Sequence, residues 1–252
     1  LSEGSVIGEK KQDALKKVHQ IGLLIFAVLL LDQALKIWVK THMHYGEEIY
    51  LLGLRWARLH FVENNGMAFG LSFGGEFGKL ALSLFRILAV TFLGYYIHLL
   101  LKAKASTGLL VSFALILAGA LGNIIDSAFY GLIFSESPYH STGTAQLFPP
   151  GGGYAGFLHG KVVDMFYFPI IETTLPEWFP IWGGEYFVFF RPVFNLADSA
   201  ITIGVFNLLL FHRSFFSGEV GERKESTAQT ETPPPPLPEP APEEEQLGES
   251  EP

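Results

Sequence analysis

Apolar positions along this chain fall into long blocks rather than into the periodic stripe of one soluble core. Residues 21–38, 80–101, 109–125 and 193–211 are apolar over nearly their whole length, and a membrane-spanning helix needs roughly 20 such residues. The blocks are too long and too uniform for the rest of the chain to enclose them as buried helices. No small-residue cleavage site follows Trp38, so the first block reads as a retained span rather than a leader. Between the first two blocks, residues 50–73 partly alternate through Leu52, Leu54, Trp56, Leu59, Phe61 and Val62, and Asn64-Asn65-Gly66 signals a turn. The pattern predicts an all-α polytopic membrane protein: four transmembrane helices with a small extracytoplasmic β element. Residues 1–18 form a cytoplasmic segment, 19–216 the membrane domain with outer loops 41–78 and 128–191, and 217–252 a tail.

Charge refines this picture. The net charge of −8 belongs to the tail: residues 1–216 hold fifteen basic and fifteen acidic side chains, and the remainder holds two against ten. With its run from Pro233 to Pro236 and its Glu243-Glu244-Glu245 cluster, the tail has no apolar face to bury and is expected to be disordered and cytoplasmic. Basic residues set the orientation. Lys10, Lys11, Lys16 and Lys17 precede the first span, Lys102 and Lys104 fill the short connection after the second, and Arg213 follows the fourth. That density places both termini in the cytoplasm. The long second outer loop is rich in Gly, Pro and aromatics; its stretches 165–169 and 178–182 suit a membrane interface, as anchors or as substrate contacts.

Cysteine is absent, which removes disulfides, thiol nucleophiles and Cys-ligated zinc. The polar residues of the spans then carry the candidate chemistry. Asp32, Asn123, Asp126, Asn195 and Asp198 all fall near the outer ends of spans, and Asp164 lies in the outer loop before the fourth. Ionisable groups in a spanning helix are expensive and usually face a bundle interior or wet cavity. Two Asn-x-x-Asp steps, Asn123 to Asp126 and Asn195 to Asp198, put an amide beside a carboxylate on one helix face. Paired carboxylates in a poorly hydrated site share a proton and can act as base and acid. The same steps serve equally well as helix-packing hydrogen bonds, and the residues alone leave both readings open. A proton-coupled transporter is the main rival, although no internal repeat is visible. A non-catalytic scaffold is another. A serine protease would need a base near Ser127 or Ser199, where no histidine stands. His42, His44 and His60 have mixed spacing and read as surface residues rather than metal ligands.

Five segments decide between these readings: Asp32-Gln33-Ala34-Leu35-Lys36, Asn64 to Gly70, Gly119 to Asp126, Val162 to Phe166, and Phe194 to Ser199. In order and placement they resemble the five motif blocks of the lipoprotein signal peptidase (signal peptidase II) family, over roughly residues 16–213. The resemblance implies an aspartic endopeptidase with Asp164 and Asp198 as the catalytic pair. It implies substrate-site roles for Asn64, Asn123 and Asn195. Asp32 and Lys36 are read as a structural ion pair, and Asp126 as structural. The implied substrate is a diacylglyceryl-modified prolipoprotein in the inner membrane, cut before its lipidated cysteine at the outer face, without metal or cofactor. Membrane lipid is the other expected partner, nucleic acid is not one, and a monomer is expected.

The chain departs from the family in three places. Ser127 follows Asp126 where the family usually has Arg, and Arg191 is a candidate substitute. Residues 134–159 are longer than the usual connection and suit a lid. Met165 intervenes before Phe166, displacing the phenylalanine of the fourth block.

Overall fold

The computed structural model describes residues 3–65, 75–139 and 142–215. Residues 66–70 of the second motif block and the tail 217–252 therefore lie outside the described residues. The chain divides into two units, Leu1–Phe211 and His212–Pro252. The described part of the second is a short 3-10 turn, Arg213–Phe215.

Helix α1 runs Glu3–His42 and α2 runs Gly75–Lys102. Helix α3, Thr107–Ile125, starts at Ser106, whose hydroxyl accepts from the Leu109 amide. It is prolonged by a π-turn, Asp126–Tyr130, and a final turn, Gly131–Ile133. Three segments are long and apolar enough to cross a membrane: Gln12–His42, Gly78–Lys102 and Thr107–Ile133. Helix α4, Leu196–Phe211, is apolar but only 16 residues long. The fourth block is thus not one helix from residue 193. Val193–Phe194 pair as a strand, and a cap at Asn195 starts the helix afterwards. Large apolar side chains such as Phe26, Leu30, Phe85, Leu88, Phe206 and Leu210 point outward. Such a coat marks a lipid-facing surface.

Small residues let the helices meet at backbone distance. A Cβ on Gly119 would lie 2.2 Å from the Ala197 carbonyl oxygen, and one on Gly204 would lie 2.6 Å from that of Ser112. At the end of the bundle away from the strands, Lys17 Nζ donates to the Ala105 carbonyl at 3.3 Å, joining the basic start of the first span to the α2–α3 connection.

The other end carries more strand than an all-α reading allows. Strands β1 (Glu48–Tyr50), β2 (Arg58–Asn64) and β3 (Val162–Tyr167) form an antiparallel sheet in the order β1-β2-β3-β6, where β6 is Val193–Phe194. Between β3 and β6, strands β4 (Ile171–Thr174) and β5 (Tyr186–Phe189) make a separate hairpin. The segment around Asp164, expected in a loop, is a strand within the four-stranded sheet. Its Val-Val and Phe-Tyr residues are strong strand formers. Val39 and Met43 of α1, Tyr130 and Phe134 after α3, and Phe61, Val163 and Met165 of the sheet form one buried cluster. The sheet is thereby seated on the helix ends.

Residues 134–159, apart from 140 and 141, fold back onto the end of α3. Phe148 N donates to Ile133 O at 2.7 Å, Ala155 N to Gly131 O at 2.9 Å, and Gly160 N to Ser127 O at 2.8 Å. A Cβ on Gly160 would lie 2.1 Å from the Asp126 carbonyl oxygen, so only glycine permits this approach.

Candidate active site

The site begins with the way α4 starts. Asp198 N donates to Asn195 Oδ1 at 2.9 Å, and Asn195 N donates to Asp198 Oδ2 at 3.2 Å. This is a reciprocal cap of the capping-box kind. The second Asn-x-x-Asp step therefore does not lie along one helix face. It closes on itself at the helix mouth and fixes the Asp198 carboxylate there, half-buried. Asp198 Oδ1 accepts from Asn123 Nδ2 of α3 at 2.9 Å.

The Asn195 side chain also faces the sheet. Its Nδ2 donates to Asp164 Oδ1 at 2.7 Å, to Asn123 Oδ1 at 3.1 Å and to Val163 O at 3.3 Å. Asn64, paired opposite Val162 on the neighbouring strand, donates to the other Asp164 oxygen, Oδ2. Asp164 is 4% exposed. Burial, and next the charge of Asp198, push its carboxyl up to about 8. Asp164 and Asp198 thus stand at either end of a pair of amides, Asn195 and Asn123, supplied by α4 and α3.

Beneath the pair lies a saturated ionic cluster. Lys36 Nζ sits 2.9 Å from Asp32 Oδ2, 2.8 Å from Asp126 Oδ2 and 2.9 Å from Asn123 Oδ1. All three charged groups are essentially without solvent contact. Gln33 Nε2 donates to Asp126 Oδ1 at 2.9 Å, and Tyr130 donates its hydroxyl to Gln33 Oε1 at 3.1 Å. Asp32 Oδ1 accepts from the Ala197 amide at 2.9 Å, so it also satisfies the first turn of α4. Both oxygens of Asp126 are engaged by Lys36 and Gln33, with the Val163 amide 3.4 Å away. Nothing leaves Asp126 open to a substrate.

A second buried ion pair lies nearer the sheet. Lys40 contacts Glu63 of β2, and Ser137 of the connection bonds to both. The rings of Phe134 and Tyr154 flank the ammonium at 5.4 and 5.1 Å. Among the histidines, His44 lies 2.7 Å from Glu47 and His60 lies 3.2 Å from Glu48, while His42 stacks on Trp38. Burial lowers the His60 pKa.

Two participants escape a reading of the sequence. Gln33 sits inside a quoted motif, but nothing in its spelling says that it bridges Asp32 and Asp126. Arg86 was detectable, as the one formal charge between Leu80 and Leu101. Its charge interacts with Asp198, Asp126 and Asp164. Arg191, by contrast, is exposed and donates to the Tyr186 carbonyl at 3.5 Å, so it does not supply the cation that Ser127 leaves out.

Two carboxyls on separate elements, one buried with its pKa pushed up to about 8, the other half-open, can divide the work of base and acid toward a water and a carbonyl. A family profile described as signal peptidase (SPase) II matches residues 24–215. The lipoprotein signal peptidase of Porphyromonas gingivalis is 53% identical over 191 residues, covering 75% of this chain and 81% of that protein. That of Amoebophilus asiaticus is 39% identical over 220 residues, covering 86% of each. A solved bacterial membrane enzyme aligns with a TM-score of 0.48 at 23% identity, over 77% of this chain and 92% of its own.

Proposed function

Because the chain belongs to the signal peptidase II family of membrane peptidases, we propose that it removes signal peptides from diacylglyceryl-modified prolipoproteins by a two-aspartate mechanism. The observation that carries this reading is the Asp164–Asp198 pair, held through Asn195 and Asn123 at one end of an apolar bundle. The ionised carboxylate takes a proton from water as the water oxygen attacks the scissile carbonyl carbon. The protonated partner donates to the developing oxyanion. Collapse of the tetrahedral intermediate then breaks the C–N bond, and the proton removed from water passes to the leaving amine. Asn195 and Asn64 hold the two oxygens of Asp164, and Asn123 orients Asp198 while its own carbonyl is anchored by Lys36.

The position of the pair suits the substrate. A lipidated cysteine stays in the bilayer beside α4 while the bond just before it reaches the carboxylates and water. The basic residues gathered at the far end, where Lys17 meets the α2–α3 connection, support an outer-face site with both termini cytoplasmic, in the inner membrane.

The test is cleavage of a diacylglyceryl-modified prolipoprotein by the purified chain in detergent, beside Asp164→Asn and Asp198→Asn. Cleavage before the lipidated cysteine, reduced at least about a thousandfold in both folded variants, is the expected result. Full activity in either variant would remove the dyad, and a parent that cleaves nothing would redirect attention to proton conduction by the same carboxylates.

A further inference from the structure

An arginine in the middle of an apolar span needs a reason, because a lone guanidinium in hydrocarbon is costly. Arg86 lies two turns beyond the start of the apolar stretch Gly78–Lys102. The burial pattern of α2 shows which way it faces. Lys79, Leu82, Ser83, Arg86 and Val90 are shielded, while Ala81, Leu84, Phe85, Leu88 and Ala89 are exposed. The shielded face turns toward the segment that leads into β3. Lys79 Nζ donates to His159 O at 2.6 Å, and buried Ser83 donates to Leu158 O at 3.3 Å. Arg86 continues this face at the helical spacing, one turn deeper than Ser83.

Charge balance inside the bundle gives it a task. Four carboxyls gather there: Asp32 from α1, Asp126 after α3, Asp164 from β3 and Asp198 from α4. Lys36 is spent on two of them, bonding Asp32 and Asp126 within 2.9 Å. Lys40 is engaged by Glu63, and position 127 is a serine whose hydroxyl turns back to Asn123 O at 3.1 Å. Arg86 is the further cation whose charge interacts with Asp198, Asp126 and Asp164.

We propose that Arg86 is the positioning cation of the dyad: reaching it from α2, it favours the singly ionised form of the Asp164–Asp198 pair and does electrostatically what Ser127 cannot. This rests on Asp164 and Asp198 being the catalytic pair. The base must be ionised to accept a proton from water, and a neighbouring positive charge makes that ionisation easier. Removing the charge while keeping the side-chain bulk therefore moves both limbs of the pH profile upward.

The experiment is the pH dependence of kcat and KM for cleavage of a diacylglyceryl-modified prolipoprotein by the full chain in detergent. The parent is compared with Arg86→Lys, Arg86→Met and the inactive control Asp164→Asn. In Arg86→Met, kcat at neutral pH falls about tenfold or more, KM changes by less than about threefold, and the acid limb moves up by about one pH unit; in Arg86→Lys the limb stays. A folded Arg86→Met with an unmoved limb, or an Arg86→Lys limb displaced as far as that of Arg86→Met, overturns the proposal. Should Arg86→Met fail to fold, Arg86→His replaces it. Its activity should then decline as the imidazole loses its proton above about pH 6.5, and an unchanged profile overturns the proposal. Activity in Asp164→Asn would instead sink the dyad itself, so the two failures are distinguishable.

Discussion

Two segments of this chain share one spelling, Asn-x-x-Asp, and use it in opposite ways. On α3, Asn123 and Asp126 lie where the helix passes into its π-turn, and Asp126 is drawn into a dry cluster where Lys36 and Gln33 engage both its oxygens. On α4, Asn195 and Asp198 lie at the start of a helix, where the same spacing closes a reciprocal cap. The cap uses one oxygen of Asp198 and Asn123 the other, but the side chain stays half-buried where that of Asp126 is fully enclosed. The two carboxylates differ in where their helices place them: Asp126 within a run that continues to Ile133, Asp198 in the first turn of α4. A carboxylate at an N-terminus is steadied by backbone amides and keeps an outward edge. Asp126, by contrast, sits in the π-turn that prolongs α3, where Lys36 and the neutral amide of Gln33 enclose it.

The contrast can be broken most forcefully at Asp126. Asp126→Leu leaves Lys36 with Asp32 as its one carboxylate partner in a dry site and is expected to cost about 3–5 kcal/mol of stability. Cleavage per folded molecule should stay within about tenfold of the parent; denaturant unfolding in detergent paired with a cleavage assay checks both, and a stable but inactive variant would make the first step catalytic. A second effect concerns pH. Asp164 titrates near 8 in the folded chain against about 3.9 unfolded. The stabilisation tied to its proton is therefore intact below about pH 4 and is lost as pH climbs toward 8. Tm measured from pH 4 to 8 should fall more steeply in the parent than in Asp164→Asn, and parallel lines would contradict the raised value. The smallest effect is at Ser127, beside the first step. Ser127→Ala removes only a bond to its own helix, so stability should change by less than about 1 kcal/mol and kcat should not move. A large fall in kcat would revive a serine nucleophile.

Much of this was legible in the sequence, for definite reasons. Spans announce themselves because lipid-facing residues such as Leu30 and Leu88 have to be apolar over a long run, and charges such as Asp32 and Lys36 stand out against that background. The choice of Asp164 over Asp126 was not local information. It came from resemblance, since nothing in Val162-Val163-Asp164 tells a reader that Asn64 and Asn195 converge on it from segments 100 and 31 residues away. The contact from Lys36 to Asp126 and the bridge from Gln33 are equally non-local. The burial of Lys40 against Glu63, 23 residues on, is non-local in the same way. The start of α4 was missed because hydropathy cannot distinguish an apolar strand from an apolar helix. Val193 and Phe194 suit either, and the cap at Asn195 decides.

The brevity of α4 reaches beyond the protein. Sixteen residues rise about 24 Å, some 6 Å short of the roughly 30 Å of hydrocarbon in a typical bilayer. If α4 serves as a fourth span, the lipids around it must compress, or its polar mouth must sit below the surrounding headgroups. On either arrangement Asp198 would lie at the bottom of a dimple in the leaflet, at a depth that acyl chains rather than water would otherwise occupy. The elastic deformation of the neighbouring lipid then becomes a mechanical component of the site, and chain length in the surrounding membrane a variable that sets how far a peptide bond has to descend.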